Sequence, residues 1–168
     1  TNVIVGLDNT GAPILAEGSS SEGVEISVIG QPIQGMNVTA AYAYIDAETS
    51  SGLRPSGVTD NVANIYASYE FQEGSLAGLG IGGGIFYEGD RFAGPNNVLE
   101  LDDYYLVNAS LWYTMQAPQF LGLGDGTVRF QLNVKNLLEE EYYNNGGNVL
   151  RIPLGVPRTV FGSVSFDY

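Results

Sequence analysis

Val128-Arg129-Phe130-Gln131-Leu132-Asn133-Val134-Lys135 puts apolar side chains at the even positions and polar or charged ones at the odd positions. Successive side chains of a strand point to opposite faces, so this stretch predicts a strand with one apolar and one polar face. A helix would mix the two classes around its circumference. The pattern continues downstream, where Val160, Gly162, Val164, Phe166 and Tyr168 alternate with Thr159, Phe161, Ser163, Ser165 and Asp167. Upstream it returns at Tyr105–Tyr113, Leu79–Tyr87, Val62–Phe71, Met36–Tyr44 and Val24–Val28, with a shorter stretch at Val3, Val5 and Leu7. The expectation is about eight strands of about ten residues, the length of tilted strands that cross a membrane. Strands of soluble domains run shorter, about five to six residues.

The connections sort into two kinds that alternate along the chain. Gly30–Gly35 and Phe71–Gly78 are short, and Gln116–Gly126 is a little longer. Ala47–Asp60, Gly89–Asp103 and Glu139–Pro157 are long. Transmembrane barrels have short periplasmic turns and longer extracellular loops. Aromatic residues gather near the strand ends. Tyr42, Tyr44, Tyr87, Tyr105, Tyr142 and Tyr143 stand beside long loops; Tyr69, Phe71, Trp112, Tyr113, Phe166 and Tyr168 stand beside short turns. Rings with a polar tip are favoured at the two membrane interfaces, so these groups read as two belts. The plainer account is that Tyr and Phe favour strands anyway. The mid-strand residues are Ala, Val, Leu and Gly, which favours the belts.

Charge agrees with the pattern. A Lys or Arg on the lipid face at mid-depth would cost about 2–4 kcal/mol, and Arg129 and Lys135 carry the opposite, inward parity. The acids concentrate in the long loops, among them Asp46, Glu48, Asp60, Glu88, Asp90, Glu100, Asp102, Asp103 and Glu139 to Glu141. Over all 168 residues there are 19 acidic and 6 basic side chains, a formal net charge of −13. Nucleic-acid binding needs the opposite sign and is excluded. The chain has no Cys and no His. Disulfides and thiolate metal sites are therefore ruled out, and the commonest general base is missing. No apolar run approaches the ~20 residues of a membrane-spanning helix. No charged-then-apolar leader opens the chain at Thr1; a processed secreted protein and a fragment would both look this way.

The last strands carry a more specific signal. Arg129–Tyr143, RFQLNVKNLLEEEYY, resembles the LxVxNLxDxxY stretch near the C-terminus of TonB-dependent receptors. Leu132, Val134, Asn136, Leu137 and Tyr142 or Tyr143 fill the pattern, with Glu139 or Glu140 where Asp is usual. Gly155-Val156-Pro157-Arg158-Thr159 is similar to the family's entry to its final strand, and the chain ends on an aromatic, Tyr168. Earlier, Glu22–Ile26 resembles the family's GvElE strand, Ala41–Asp46 its YxYxD strand, and Gly84–Arg91 its GxxYxGDR segment. The matches keep family order and cover nearly the whole chain.

The resemblance implies an all-β, antiparallel transmembrane β-barrel in the bacterial outer membrane. Residues 1–168 would form a single segment, about eight consecutive C-terminal strands of a barrel of about 22. The N-terminal plug, the early strands and the energy-coupling box would lie elsewhere. It implies active uptake of a scarce nutrient such as a ferric siderophore, with no resident cofactor and no enzyme activity. Its partners would be outer-membrane lipid and lipopolysaccharide, the missing plug and strands, and the TonB energy-coupling complex acting through the plug.

Candidate ligand contacts lie in or beside the long loops: Arg91, Phe92, Tyr104, Tyr143 and Arg151. Many ferric siderophores are anionic and aromatic, so Arg and Tyr at the barrel mouth suit them by charge and stacking. The competing reading is that these side chains anchor the loops, and for Arg158, inside a family structural motif, that reading leads. Glu139–Glu141 with Asp102 and Asp103 offer oxygen ligands for Ca²⁺, but a solvated loop explains them as well. Gly78, Gly80 and Gly83 satisfy G-x-G-x-x-G, yet Ile85–Tyr87 continue a strand where a dinucleotide site needs a helix. Close approach of another element explains such glycines better.

Other classes stay open at this level. A stand-alone eight-stranded barrel with a structural or adhesive role suits the length. It would need an interior packed with side chains, and the inward Gly80, Gly82, Gly84, Ala41 and Ala43 are small. An outer-membrane hydrolase would need His. A soluble sandwich would need a polar outer face.

Overall fold

The computed structural model describes residues 3–7, 13–16, 18–118, 125–144 and 149–167. Tyr168, most of the turn after Gln116, and the tip of the last long loop lie outside them. The described residues form β1 (Val3–Leu7), β2 (Pro13–Ala16), β3 (Ser20–Gly30), β4 (Met36–Glu48), β5 (Asn61–Glu70), β6 (Leu79–Glu88), β7 (Arg91–Ala93), β8 (Leu99–Leu101), β9 (Tyr104–Gln116), β10 (Thr127–Lys135) and β11 (Thr159–Asp167). One short 3₁₀ turn spans Gly74–Leu76.

Seven strands make one sheet in the order β11-β10-β9-β6-β5-β4-β3, with every pair antiparallel. Nearest neighbours in sequence are nearest neighbours in space, the meander that short turns permit. Two expectations change. The stretch at Val3–Leu7 does not join this sheet; it pairs with Pro13–Ala16, Val3 opposite Ala16, with an irregularity between Ile4 and Gly6. Alternation makes a strand but does not choose its partner, and the cheapest partner to reach is the nearest in sequence. The loop after Glu88 is not irregular throughout. It carries the β7–β8 hairpin, Arg91 opposite Leu101 and Ala93 opposite Leu99.

The register lines side chains up in rows across the sheet. On one face Val28, Ala40, Ile65, Ile85 and Val107 lie side by side. On the other, Asn37, Ser68, Gly82, Ser110 and Asn133 form a polar row. The apolar face is not covered. Val28 is 60% exposed, Ile85 47% and Leu132 46%. The buried apolar side chains of the described residues are few, Ala47, Ala93, Leu101, Tyr104, Trp112 and Val128, and no row of aliphatics is among them. An aliphatic face of this extent left open to water would be an aggregation site; facing hydrocarbon, it is in its proper solvent.

Aromatic rings bound that face at both ends. Tyr42, Tyr87 and Tyr105 share one row with Ala63 on the side of the long loops. Tyr113 and Phe130 stand opposite each other on the side of the short turns, and Tyr69 meets Phe71 edge to face at 5.0 Å. Tyr105 to Tyr113 is about 26 Å of strand at ~3.3 Å per residue. At a tilt of about 40° that spans about 20 Å, near the ~25 Å apolar band of such barrels.

Two residues assigned to the belts point elsewhere. Trp112 has inward parity, opposite Gly80 and Gln131. It is 7% exposed. Its Nε1–H donates to Glu70 at 2.7 Å, and the Arg129 guanidinium lies 4.6 Å over its ring. A Cβ on Gly80 would collide with the indole, so Gly at that position makes the room. Tyr142 likewise packs inward at the long-loop end, as described below.

Within the described residues β3 pairs only with β4 and β11 only with β10. The sheet is therefore an open arc. A self-closed small barrel is not what this chain forms, and open edges in lipid demand further strands.

The two faces make a direct prediction. In the intact protein, Ile85→Lys should lower folding stability in lipid vesicles by about 2–4 kcal/mol, while Gln131→Lys, on the inward parity, should change it by less than about 1 kcal/mol. Urea titration of vesicle-inserted protein reads both, and equal losses would mean the faces are assigned wrongly.

Candidate ligand mouth at the long-loop end

The long connections do not hang free; each is tied to its neighbour through a basic or amide side chain. Arg54 anchors the connection between β4 and β5. Its guanidinium pairs with Asp60 at 2.5 Å and Asp90 at 2.9 Å. It also lies 5.5 Å over the Phe92 ring. Its backbone N–H donates to Asn97 Oδ1, and Asn97 Nδ2 donates back to the Arg54 carbonyl, both at 2.8 Å. Asn97 holds a φ of +50°, a conformation Asn tolerates better than most residues. Gly57 N–H to the Phe92 carbonyl and Gly94 N–H to Ser56 Oγ, each 2.8 Å, complete the joint. Loop and hairpin thus form one body.

A second clasp links the hairpin to the last long loop. Arg91 is 1% exposed. Its Nε is 3.7 Å from Glu88, and its guanidinium sits 5.1 Å over the Tyr104 ring. Its Nη2 donates to the Tyr143 carbonyl. Tyr104 donates its hydroxyl to Glu88. The Tyr104 ring stacks on Tyr142, centroids 4.2 Å apart and planes 25° from parallel. Tyr142 in turn lies over Gly155, where any Cβ would overlap the ring, and its hydroxyl accepts Val156 N–H at 3.2 Å. A buried guanidinium is costly unless paired, so carboxylate, carbonyl and ring face together make this burial tolerable.

Asn136 is the third clasp. It is 3% exposed with φ +51°. Its Nδ2 donates to the carbonyls of Glu140 at 2.8 Å and Val156 at 3.2 Å. Its Oδ1 accepts Glu140 N–H at 2.8 Å, and its own N–H donates to Asn108 Oδ1 at 3.0 Å. Arg158 closes the end of the same loop, pairing with Glu139 at 2.7 Å. The residues singled out as a motif, Asn136, Leu137, Tyr142 and Gly155–Thr159, are thus a structural fastening.

The sequence candidates separate accordingly. Arg91 and Tyr104 come together, but in the buried clasp, with Tyr143 contributing its carbonyl. Phe92 is half-buried against Arg54. The Tyr143 ring is 51% exposed, and Arg151 is exposed and forms no ion pair among the described residues. No three carboxylates among the described residues come together as a metal site. Sequence reading missed Arg54 and Asn97. A lone cation in an acidic loop was a usable signal for the first; nothing local marks the second.

An Asp at 136 keeps the acceptor but loses both side-chain donations. Asn136→Asp should therefore cost about 1–3 kcal/mol and expose the loop after β10 to protease. Limited proteolysis of membrane-inserted protein checks this, and a wild-type cleavage pattern would refute the fastening.

The model of the TonB-dependent receptor-like β-barrel matches residues 1–137. The ferrichrome outer membrane transporter/phage receptor of Escherichia coli (strain K12) is 30% identical over 153 residues, 88% of this chain and 20% of that protein. The metal-pseudopaline receptor of Pseudomonas aeruginosa (strain UCBPP-PA14) is 29% identical over 167 residues, 95% of this chain and 22% of that protein. The solved ferric preacinetobactin receptor of Acinetobacter baumannii aligns with 100% of this chain and 25% of its own, with a TM-score of 0.78 and 23% identity, a likeness of fold. The chain spans 20% and 22% of the length of these two curated relatives. The match over residues 1–137 runs well past half of the chain, so the chain belongs to the TonB-dependent receptor-like β-barrel family, as part of the wall of an outer-membrane barrel.

Proposed function

We propose that this chain is wall and outer mouth of a receptor that takes up a ferric siderophore or similar metal chelate by active transport. The observation that carries the reading is the fastened rim. Arg54 and Arg91 clasp the three long connections to one another and Asn136 clasps the last one across its own span, which fixes the loop surface before any ligand arrives. Preorganised contact residues lose less entropy on binding. The relatives named for ferric and metal chelates supply the cargo class. In this proposal the strands that close the arc and a luminal plug come from the rest of the protein. The TonB complex acts through that plug, and the aromatic-bounded face meets lipid and lipopolysaccharide. Uptake needs no resident cofactor.

Tyr143 and Arg151 are the ligand contacts we favour, with the accessible edge of Phe92 beside them. Arg91 and Tyr104, buried in the clasp, act by holding these in place. In the intact receptor, Tyr143→Ala and Arg151→Ala should each weaken chelate binding about 5- to 20-fold, the scale of one good interface contact, without altering protease resistance. Arg91→Ala should loosen the loops first. Binding of radiolabelled ferric chelates to whole cells, run beside limited proteolysis, separates the two effects.

The size of the whole protein tests the setting. Extracted from native outer membranes and detected with an antibody to the last long loop, it should run several times heavier than 17.9 kDa. A band at that mass would end the transport reading.

A further inference from the structure

Resting on the uptake function proposed above, we infer that Arg129 is a docking point for the luminal plug, and that the plug meets it with a carboxylate near the short-turn rim. Of the seven strands of the wall only β10 carries cations, Arg129 near one end and Lys135 at the other. Lys135 is exposed at the long-loop end, 5.6 Å from the centre of the Phe161 ring. Arg129 lies about 20 Å of strand away, on the inward face between Thr114 and Ser165.

The Arg129 guanidinium is positioned but not hydrogen-bonded. The Trp112 indole fills the space that a Cβ on Gly80 would take, and its Nε1–H donates to Glu70 at 2.7 Å. The guanidinium lies 4.6 Å over that ring, which fixes where it sits. Glu70 Oε2, already accepting from the indole, stands 4.0 Å from Nη1, beyond hydrogen-bond reach. Both side chains are about a third exposed, 37% and 35%, so the pair is screened and contributes little. Among the described residues Arg129 donates no hydrogen bond; its Nε is buried without a partner, as is Oγ1 of its cross-strand neighbour Thr114. A planar fork of N–H donors, oriented in advance, matches a carboxylate that accepts two of them side by side.

The wall does not supply that carboxylate. Both strands that flank β10 are present, and opposite Arg129 they place Thr114 and Ser165. Asp167, one inward row nearer the rim, forms no ion pair with it among the described residues. The guanidinium leans over β9 toward Glu70 on β5, away from the open edge of β11 where further strands join. That leaves the lumen. A barrel of about 22 strands is too wide for its own side chains to fill and is closed by a plug.

The test uses the intact receptor inserted in lipid. A benzophenone side chain in place of Ser163, inward and opposite Gln131, should cross-link to the plug at a segment holding an Asp or Glu, with or without ferric chelate. The same group in place of Val164, on the lipid face, should not. Arg129→Met keeps the stem on the indole and loses the donors. In planar bilayers at a fixed, partly denaturing urea concentration it should raise the fraction of conducting, unplugged channels about tenfold, the factor for one lost charge-assisted contact. Heat-dependent gel mobility reports that the barrel is still folded. Arg129→Glu should leak likewise, and changing the cross-linked acid to Arg should then restore closure; this pair decides the matter if Arg129→Met does not fold. Cross-links to wall strands alone, cross-links that need bound chelate, unchanged conductance in Arg129→Met, or a charge exchange that fails to restore closure would overturn the inference while the uptake function stood. A receptor that conducts before any urea and cross-links to nothing beyond its wall has no plug, which brings down the uptake function and this inference together.

Discussion

Hydrocarbon offers no hydrogen bonds, so every amide and carbonyl of a membrane-crossing strand must find its partner on a neighbouring strand. That constraint organises the molecule. It demands long, regular, antiparallel pairing, and the unbroken registers from β3 to β11 supply it. It also removes the usual reason for a core. The apolar face is satisfied by lipid, so the sheet can be one layer thick and its aliphatics can stay open, as Val28, Ile85 and Leu132 do. The constraint reaches beyond the chain as well. The outer edges of β3 and β11 have to be met by other strands, which is why this arc has meaning only as part of a larger wall.

Water takes over as solvent past the aromatic belts, and the rules change with it. Loops in water need not pair their backbone, and long ones would wander. Here the order comes from a few polar side chains that each tie several backbone groups. Asn136 joins the end of β10 to the far end of its own loop, Arg91 joins the β7–β8 hairpin to Tyr143, and Arg54 joins that hairpin to the loop before β5. Stacking of Tyr104 on Tyr142 over the bare backbone of Gly155 adds apolar contact at the same place. The fastening engages Arg54, Arg91 and Arg158 with carboxylates, while Arg151 and Lys135 at the same end form no ion pair among the described residues.

The inner face shows the same economy on a smaller scale. Trp112 is the sole tryptophan, and its place beneath Arg129, beside Glu70 and against Gly80, fills space that the small inward residues around it leave open. Its neighbours Leu111 and Tyr113 face lipid. A shift of one position would have moved the indole to the belt where its type is usually found.

Period-two alternation settled the strands and their two faces from sequence alone, because lipid and lumen impose opposite demands on alternate residues of the same segment. Loop length set the expectation of which end faces outward, and the Asn136–Tyr142 and Gly155–Thr159 motifs resemble the family that the match over residues 1–137 shows. What the sequence did not decide was partnership. Val3–Leu7 reads as a strand of the wall and pairs instead with Pro13–Ala16. Arg91 reads as an exposed ligand contact and lies buried against Glu88, Tyr104 and Tyr143. Arg54 and Asn97 give no local sign that they meet across 43 residues. Alternation is written into each strand because each residue meets its solvent locally; a clasp between loops depends on where distant turns bring their ends, and only the folded sheet decides that.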